Sequence, residues 1–193
     1  MNYTVSRVFD ADTTVTSGSG TRISGLDTSD VYQVSMTFPD NTDPVSIGVT
    51  FAHSNLKENE SVVITEWNQI HLSPKGGQFK CFKGEFQTPA NDTPTLIETT
   101  SLAFAFYGST FNNDTLSNWN LTNVVSISSM FKNATEFNQN LNAWTTLQTS
   151  LNMENVFKGA SAYANGGVAL SWNLSSVASL DDFFSGSGYD TTL

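Results

Sequence analysis

The sequence predicts an α+β chain, with a β-rich N-terminal region over residues 1–60 and a stacked array over 61–193 of about five units of roughly 25 residues. Each unit is expected to hold a short strand and a short helix. Three observations carry this reading. Apolar and polar residues alternate in the first sixty positions, as in half-buried strands. Phenylalanine then recurs at Phe82, Phe106, Phe131, Phe157 and Phe184, with spacings of 24, 25, 26 and 27. Two places after each Phe stands a residue that tolerates positive φ: Gly84, Gly108, Asn133, Gly159 or Gly186.

In the N-terminal region, YTVSRVF (3–9), VYQVSMTF (31–38), VSIGVTF (45–51) and SVVITEW (61–67) read as strands. PDNTDP (39–44) has the composition of a hairpin turn between the second and third. TTVTSGSG (13–20) has one apolar residue, Val15, and reads as a loop. These strands form either a small antiparallel domain or a cap on the first unit of the array.

Within the array, Gly77, Ser101, Ser126, Asn152 and Ser179 lie five places before each Phe and are residue types that suit a helix N-cap. The glycine column supplies the stop, so each unit is expected to hold a helix of about six residues, too short to persist without packing. The core positions are Cys81, Ala105, Met130, Val156 and Phe183 just before the Phe, and Leu102, Ile127, Met153 and Leu180 four before. Phe86, Phe111, Phe137, Tyr163 and Tyr189 follow the Phe and open the extended segments. Trp119, Trp144 and Trp172 precede it by twelve or thirteen residues.

WNLTNVVSISSMFKNATEFNQNLNAW (119–144), with WNLSSVASLDDFF (172–184), resembles the BspA-like leucine-rich repeats, in the variant with a Trp-Asn-hydroxyl motif and a Met-Phe helix. ITEWNQIHLS (64–73) resembles the segment that opens such arrays, so the resemblance covers 64–193. The first units depart from it: Pro94 stands in place of the Trp, and Lys75-Gly76-Gly77 in place of the hydroxyl run. The resemblance implies a leucine-rich-repeat solenoid without catalytic residues. Its members are surface adhesins and lipoproteins of bacteria, surface proteins of protists and proteins of large DNA viruses.

Composition narrows the function. A net charge of −10 with only 8 basic residues gives no patch for nucleic acid or an anionic membrane surface. A single Cys excludes an internal disulfide framework. MNYTVSRVFDADTT lacks the charged and apolar regions of a signal peptide, which suggests synthesis in a cytosol, and no stretch is long enough for a transmembrane helix.

No cofactor and no catalytic or metal site is expected. Cys81 with His71 could suggest a thiol–imidazole pair, but the column assigned to Cys81 is apolar. His53, lying in a polar segment, completes no metal-ligand spacing. Asp40, Asn41 and Asp43 lack the Gly and Glu of a calcium loop, and Asp181 and Asp182 suit the first turn of a helix. Seven Asn-x-Ser/Thr sequons, from Asn2 to Asn173, are close to what this Ser/Thr content gives by chance.

The expectation is a non-enzymatic structural or interaction module that joins protein partners in a larger assembly such as a virion, where it would act at the particle surface. The alternative is a surface adhesin or glycan-binding protein, which would need the Trp column exposed. Two candidate interaction surfaces follow. One is the C-terminal end of the array, with Phe183, Phe184, Tyr189 and Leu193; the other is a line of ammonium groups from Lys83, Lys132 and Lys158.

Overall fold

Backbone hydrogen bonding, more than side-chain pattern, decides this architecture. The computed structural model describes residues 2–7, 14–19, 32–37, 61–64, 67, 72–88, 92–96, 100–144 and 151–189. It divides into two compact units, Met1–Ile47 and Gly48–Leu193.

The first unit holds a three-stranded antiparallel sheet. Strand β1 (Asn2–Arg7) lies between β2 (Thr14–Ser19) and β3 (Tyr32–Thr37). It pairs with β3 from Asn2↔Thr37 to Arg7↔Tyr32, and with β2 across an irregularity at Val5/Ser6. Thr14–Ser19, expected as a loop, is therefore a strand. Its β-branched residues Thr14, Val15 and Thr16 favour a strand, and pairing on β1 supplies what apolar patterning lacks. The expected strand at 45–51 and the turn at 39–44 lie outside the described residues.

In the second unit β4 (Ser61–Val63) pairs in parallel with β5 (Glu85–Gln87), and β6 (Thr100–Ser101) with β7 (Val124–Ser126). Isolated parallel bridges join Lys75 to Ser101, Ser126 to Asn152 and Asn152 to Ser179. The remaining regular element is a 3₁₀ turn at Asp114–Asn118, plus a short turn at Asn165–Gly167 broken by Gly166 at φ 65°. Among the described residues there is no α-helix, and the parallel pairing is confined to these short segments. The expected solenoid of strand-plus-helix units is thereby overturned.

The reason lies in two columns of left-handed residues. Gly77, Phe104, Ser129, Asn155 and Asp182 all have φ between 55° and 66°. Cys81, Gly108, Asn133, Gly159 and Gly186, four residues further on, have φ between 58° and 70°. An α-helix cannot pass through such positions. Instead, alternate N–H groups take different partners. Ala105, Tyr107 and Ser109 donate three residues back, to Leu102, Phe104 and Phe106, at 3.0–3.2 Å. Leu102, Phe104, Phe106 and Gly108 donate across to the carbonyls of Ser126, Ser128, Met130 and Lys132 at 2.8–2.9 Å. The same alternation joins 127–133 to 152–158 and 153–159 to 179–185.

A six-residue helix would leave most of its N–H and C=O groups without intrahelical partners. The observed ladder gives most of these a partner in their own or a neighbouring winding. The expected caps serve differently as well. Ser101, Ser126, Asn152 and Ser179 accept from the N–H two residues on, at 3.0–3.3 Å, as side-chain turns rather than helix caps.

The core runs along the ladder. Phe79, Phe106, Phe131 and Phe157 stack in sequence with centroids 4.9, 5.5 and 5.5 Å apart and planes within 4° of parallel. Phe137 and Tyr163 form a second stack inside the windings, 5.8 Å apart. Met130, Val156, Leu102, Ile127 and Met153 are buried around them.

The first winding corrects the register read from sequence. Phe79, not Phe82, stacks on Phe106, and Phe79 N–H donates to the Ala105 carbonyl as Phe106 N–H does to Met130. The spacing at this step is thus 27 residues rather than 24. Cys81, not Gly84, holds the left-handed position equivalent to Gly108. Gln78 takes the core column assigned to Cys81; it is buried, with its amide donating to the carbonyls of Ser73 and Ser101.

Candidate functional site

Among the described residues no group of three or more His, Cys, Asp or Glu side chains could hold a metal ion. Cys81 is a free, half-buried thiol at φ 58°, not the core residue its assigned column implied. His53, His71, Asp40, Asn41 and Asp43 lie outside the described residues. A shallow groove of about 480 Å³ is lined by residues 117–122 with Ala143 and Trp144, and none of these is titratable.

The Trp column is structural. Trp119, Trp144 and Trp172 are buried, and the last two are anchored by their indole N–H groups. Trp144 Nε1 donates to the Leu116 carbonyl at 3.1 Å, and Trp172 Nε1 to the Leu141 carbonyl at 2.8 Å. These rings offer no free face for stacking on a sugar.

The amide residues bind the windings on another side. Asn112 Oδ1 accepts from Asn138 N–H at 3.0 Å, and Asn138 Oδ1 from the N–H groups of Ala164 and Gly166 at 2.8 and 3.1 Å. Asn165 is fully buried. Its Oδ1 accepts from Leu141 N–H at 2.8 Å and the Tyr163 hydroxyl at 3.4 Å, while its Nδ2 donates to Asn142 Oδ1 and the Val168 carbonyl. Burial, and secondarily Tyr189, pushes the Tyr163 phenol well above the ordinary tyrosine range.

The lysine line changes with the register. Ladder bonding places Lys80, Tyr107, Lys132, Lys158 and Ser185 at equivalent positions, so Lys83 stands outside the line and Tyr107 interrupts it. Lys80 Nζ lies 5.7 and 5.5 Å from the rings of Phe104 and Tyr107. Lys158 Nζ is 2.5 Å from Asp182 Oδ2. Two of these cations are therefore engaged locally rather than arrayed toward a common anion.

Phe104 is the oddity of this edge. It is 43% exposed at φ 59°, where the equivalent residues are Gly77, Ser129, Asn155 and Asp182. The shielding by Lys80 and the tilted Tyr107 ring, 5.9 Å away, gives it local partners.

The C-terminal end is the least satisfied part of the ladder. Leu180 is 38% exposed, although Leu102, Ile127 and Met153 in the same column are fully buried. Phe184 and Tyr189 are half-buried and stacked on each other at 4.6 Å, while Phe183 is buried. Tyr189 also accepts from Leu170 N–H through its hydroxyl, at 2.7 Å. The N–H groups of Leu180, Asp182, Phe184 and Gly186, equivalent to those that bridge windings elsewhere, have no acceptor among the described residues. Leu193 lies outside the described residues. Sequence reasoning expected an uncovered strand edge and apolar residues at this end; which N–H groups form the row follows only from the backbone bonding.

No helix among the described residues is long and apolar enough to cross a membrane. No curated protein and no solved structure matches the chain. The family model that matches is not that of the BspA-like leucine-rich repeats which the Trp-Asn and Met-Phe motifs resemble, and that assignment is withdrawn. The match spans residues 78–191, from Gln78 of the first winding to the end of the ladder, and by it the chain belongs to the family described as Mycoplasma protein of unknown function, DUF285.

Proposed function

We propose that this chain is a non-enzymatic interaction module, a subunit that joins a larger protein assembly through the C-terminal end of its ladder. One observation carries the reading. The last winding leaves four backbone donors without acceptors among the described residues, beside the exposed Leu180 and the half-buried Phe184 and Tyr189. A strand-like edge with apolar flanks is an association surface unless something covers it. On this reading the protein works as a decorating or minor structural component, at a particle or cell surface. Glycan binding receives no support from the Trp column, whose rings are buried.

The test is the size of the native species. Drawn from its source under mild conditions, the protein should migrate well above its 21.0 kDa chain mass. Leu180→Asp should return it toward that mass without lowering its melting temperature. Migration as a free monomer under every native condition overturns the reading.

A further inference from the structure

We propose that Asn165-Gly166 is a latent self-modification site: a joint between windings that loses the Asn165 amide once it opens and cannot close again afterwards. The sequence holds one Asn-Gly pair, and the fold buries its asparagine completely. Asparagine followed by glycine is the pairing best suited to attack on its own side chain, because no Cβ shields the next peptide nitrogen.

The step is intramolecular. The Gly166 nitrogen bonds to Cγ of Asn165, the Cγ–Nδ2 bond breaks, and the Gly166 amide proton leaves with Nδ2 as ammonia. Water then opens the cyclic imide at either carbonyl. Residue 165 becomes aspartate, or the isomer in which the main chain runs through the side-chain carbon.

In the folded chain both reacting groups are committed elsewhere. Gly166 N–H donates to Asn138 Oδ1 of the preceding winding at 3.1 Å, and the same oxygen takes Ala164 N–H at 2.8 Å. Asn165 Nδ2 donates to Asn142 Oδ1 at 3.1 Å and to the Val168 carbonyl at 3.2 Å, while Oδ1 accepts from Leu141 N–H at 2.8 Å. Gly167 N–H closes the turn on the Ala164 carbonyl at 2.9 Å. A carboxamide fixed at both ends cannot rotate toward the nitrogen, and burial keeps out the water that the second step needs. Reaction therefore requires opening of 164–168.

The product cannot restore the joint. Aspartate has no N–H for Asn142 Oδ1 or the Val168 carbonyl, and it sets a buried charge against both. The isomer lengthens the backbone of a turn that already packs closely, since a Cβ on Gly166 would sit 3.2 Å from Asn140 Cβ. Displacing residue 165 frees the Leu141 N–H, on a peptide whose carbonyl holds the Trp172 indole at 2.8 Å. One opening is thereby made permanent.

The test follows the full chain at mildly alkaline pH, native and in denaturant, with peptide mapping of amide-to-acid conversion at every asparagine. In denaturant Asn165 should convert ahead of the others. In the native chain it should convert about a hundredfold more slowly or less, because the rate scales with the open fraction. Asn138→Ala frees the Gly166 N–H and should raise the native rate by about tenfold or more, with the rate in denaturant unchanged. Asn138→Asp, which keeps the accepting oxygen, should stay near the parent. Unchanged amide exchange around Phe131 shows that both variants are folded, and the native-to-denaturant comparison of the parent decides the matter without them. Returned to native conditions, converted chains should exchange the Leu141 amide at least about tenfold faster than unconverted ones.

A native rate within about threefold of the denatured one overturns the proposal. So does conversion in denaturant led by another asparagine, or a native rate indifferent to Asn138→Ala in a folded variant. Converted chains that protect the Leu141 amide as well as the parent does also overturn it.

Discussion

The rings of Phe131 and Phe157 lie parallel, with an interplanar angle of 0° and centroids 5.5 Å apart. Both are fully buried, and each also stacks on the second aromatic of its own winding, Phe137 at 3.9 Å and Tyr163 at 3.7 Å. Four rings from two windings thus form one block. Phe131→Ala should cost about 3–5 kcal/mol in chemical denaturation, as large core truncations do. Phe131→Leu should cost less, because most of the apolar volume remains. A loss below about 1 kcal/mol for the alanine variant would show that the block is not a core.

The left-handed columns predict opposite outcomes for chemically similar changes. A Cβ on Gly159 would sit 2.4 Å from Asn133 Oδ1, whereas one on Gly186 would meet Gly159 backbone atoms at 3.7 Å. Gly159→Val therefore combines a β-branched residue at φ 70° with a collision. Gly186→Asn places a residue that tolerates positive φ where there is room. The first should lower the melting temperature sharply and the second by little. Equal losses would mean that the left-handed geometry does not control these positions.

Cys81 occupies a position that the other windings give to Gly or Asn. Cys81→Gly should stabilise the protein by roughly 1 kcal/mol, the order of a left-handed penalty for an L-residue. Cys81→Val should do the reverse. Because the thiol is half-buried and not in the core, a small thiol reagent should label it without global unfolding. Labelling that waits for unfolding would return Cys81 to the core.

The ion pair between Lys158 and Asp182 spans two windings, yet both side chains are at least a third exposed. Such pairs contribute about 0–1 kcal/mol. Asp182→Gly removes it and also relieves a φ of 55°. The two effects oppose, so unfolding midpoints of the variant and the parent should nearly coincide. A loss above about 2 kcal/mol would assign the pair a larger role than its exposure allows.

The parts of this architecture that were legible in the sequence are those fixed by volume or by a missing Cβ. Phe106, Phe131 and Phe157 recur because a stacked ring column needs rings, and Gly108, Gly159 and Gly186 because positive φ favours glycine. The second left-handed column was not legible. Gly77, Phe104, Ser129, Asn155 and Asp182 share a conformation and no chemistry, and without it a cap, an apolar run and a glycine read as a helix. The slip in the first winding has a similar cause. Phe79 and Phe82 lie three residues apart, both are buried, and Gly84 imitates the stop that Cys81 provides. The candidate surface was half legible: its apolar residues stand in the text, while its unfilled donors follow only from the alternation of backbone bonds.

Asn165 gives the most discriminating substitution in the described ladder. Its Oδ1 is fixed as the acceptor because Leu141 N–H can only donate, so Nδ2 must face Asn142 Oδ1 and the Val168 carbonyl. Asn165→Asp keeps the shape and the φ of 50° but turns an acceptor toward those two acceptors, in a fully buried site. An ionised carboxylate there is opposed by desolvation and by both oxygens, so its folded pKa lies above the unfolded value of about 3.9. The unfolded chain then loses the proton first as pH rises. The penalty is small below the unfolded pKa, grows as pH passes through it and levels off above the folded pKa. Denaturation from pH 3 to pH 8 should show Asn165→Asp losing stability relative to the parent by several kcal/mol across that range, of the order expected for a buried unpaired charge. Asn165→Ala, which titrates nothing, should show a loss independent of pH. Parallel pH profiles for the aspartate variant and the parent would place residue 165 in contact with water and remove it from the joint between these windings.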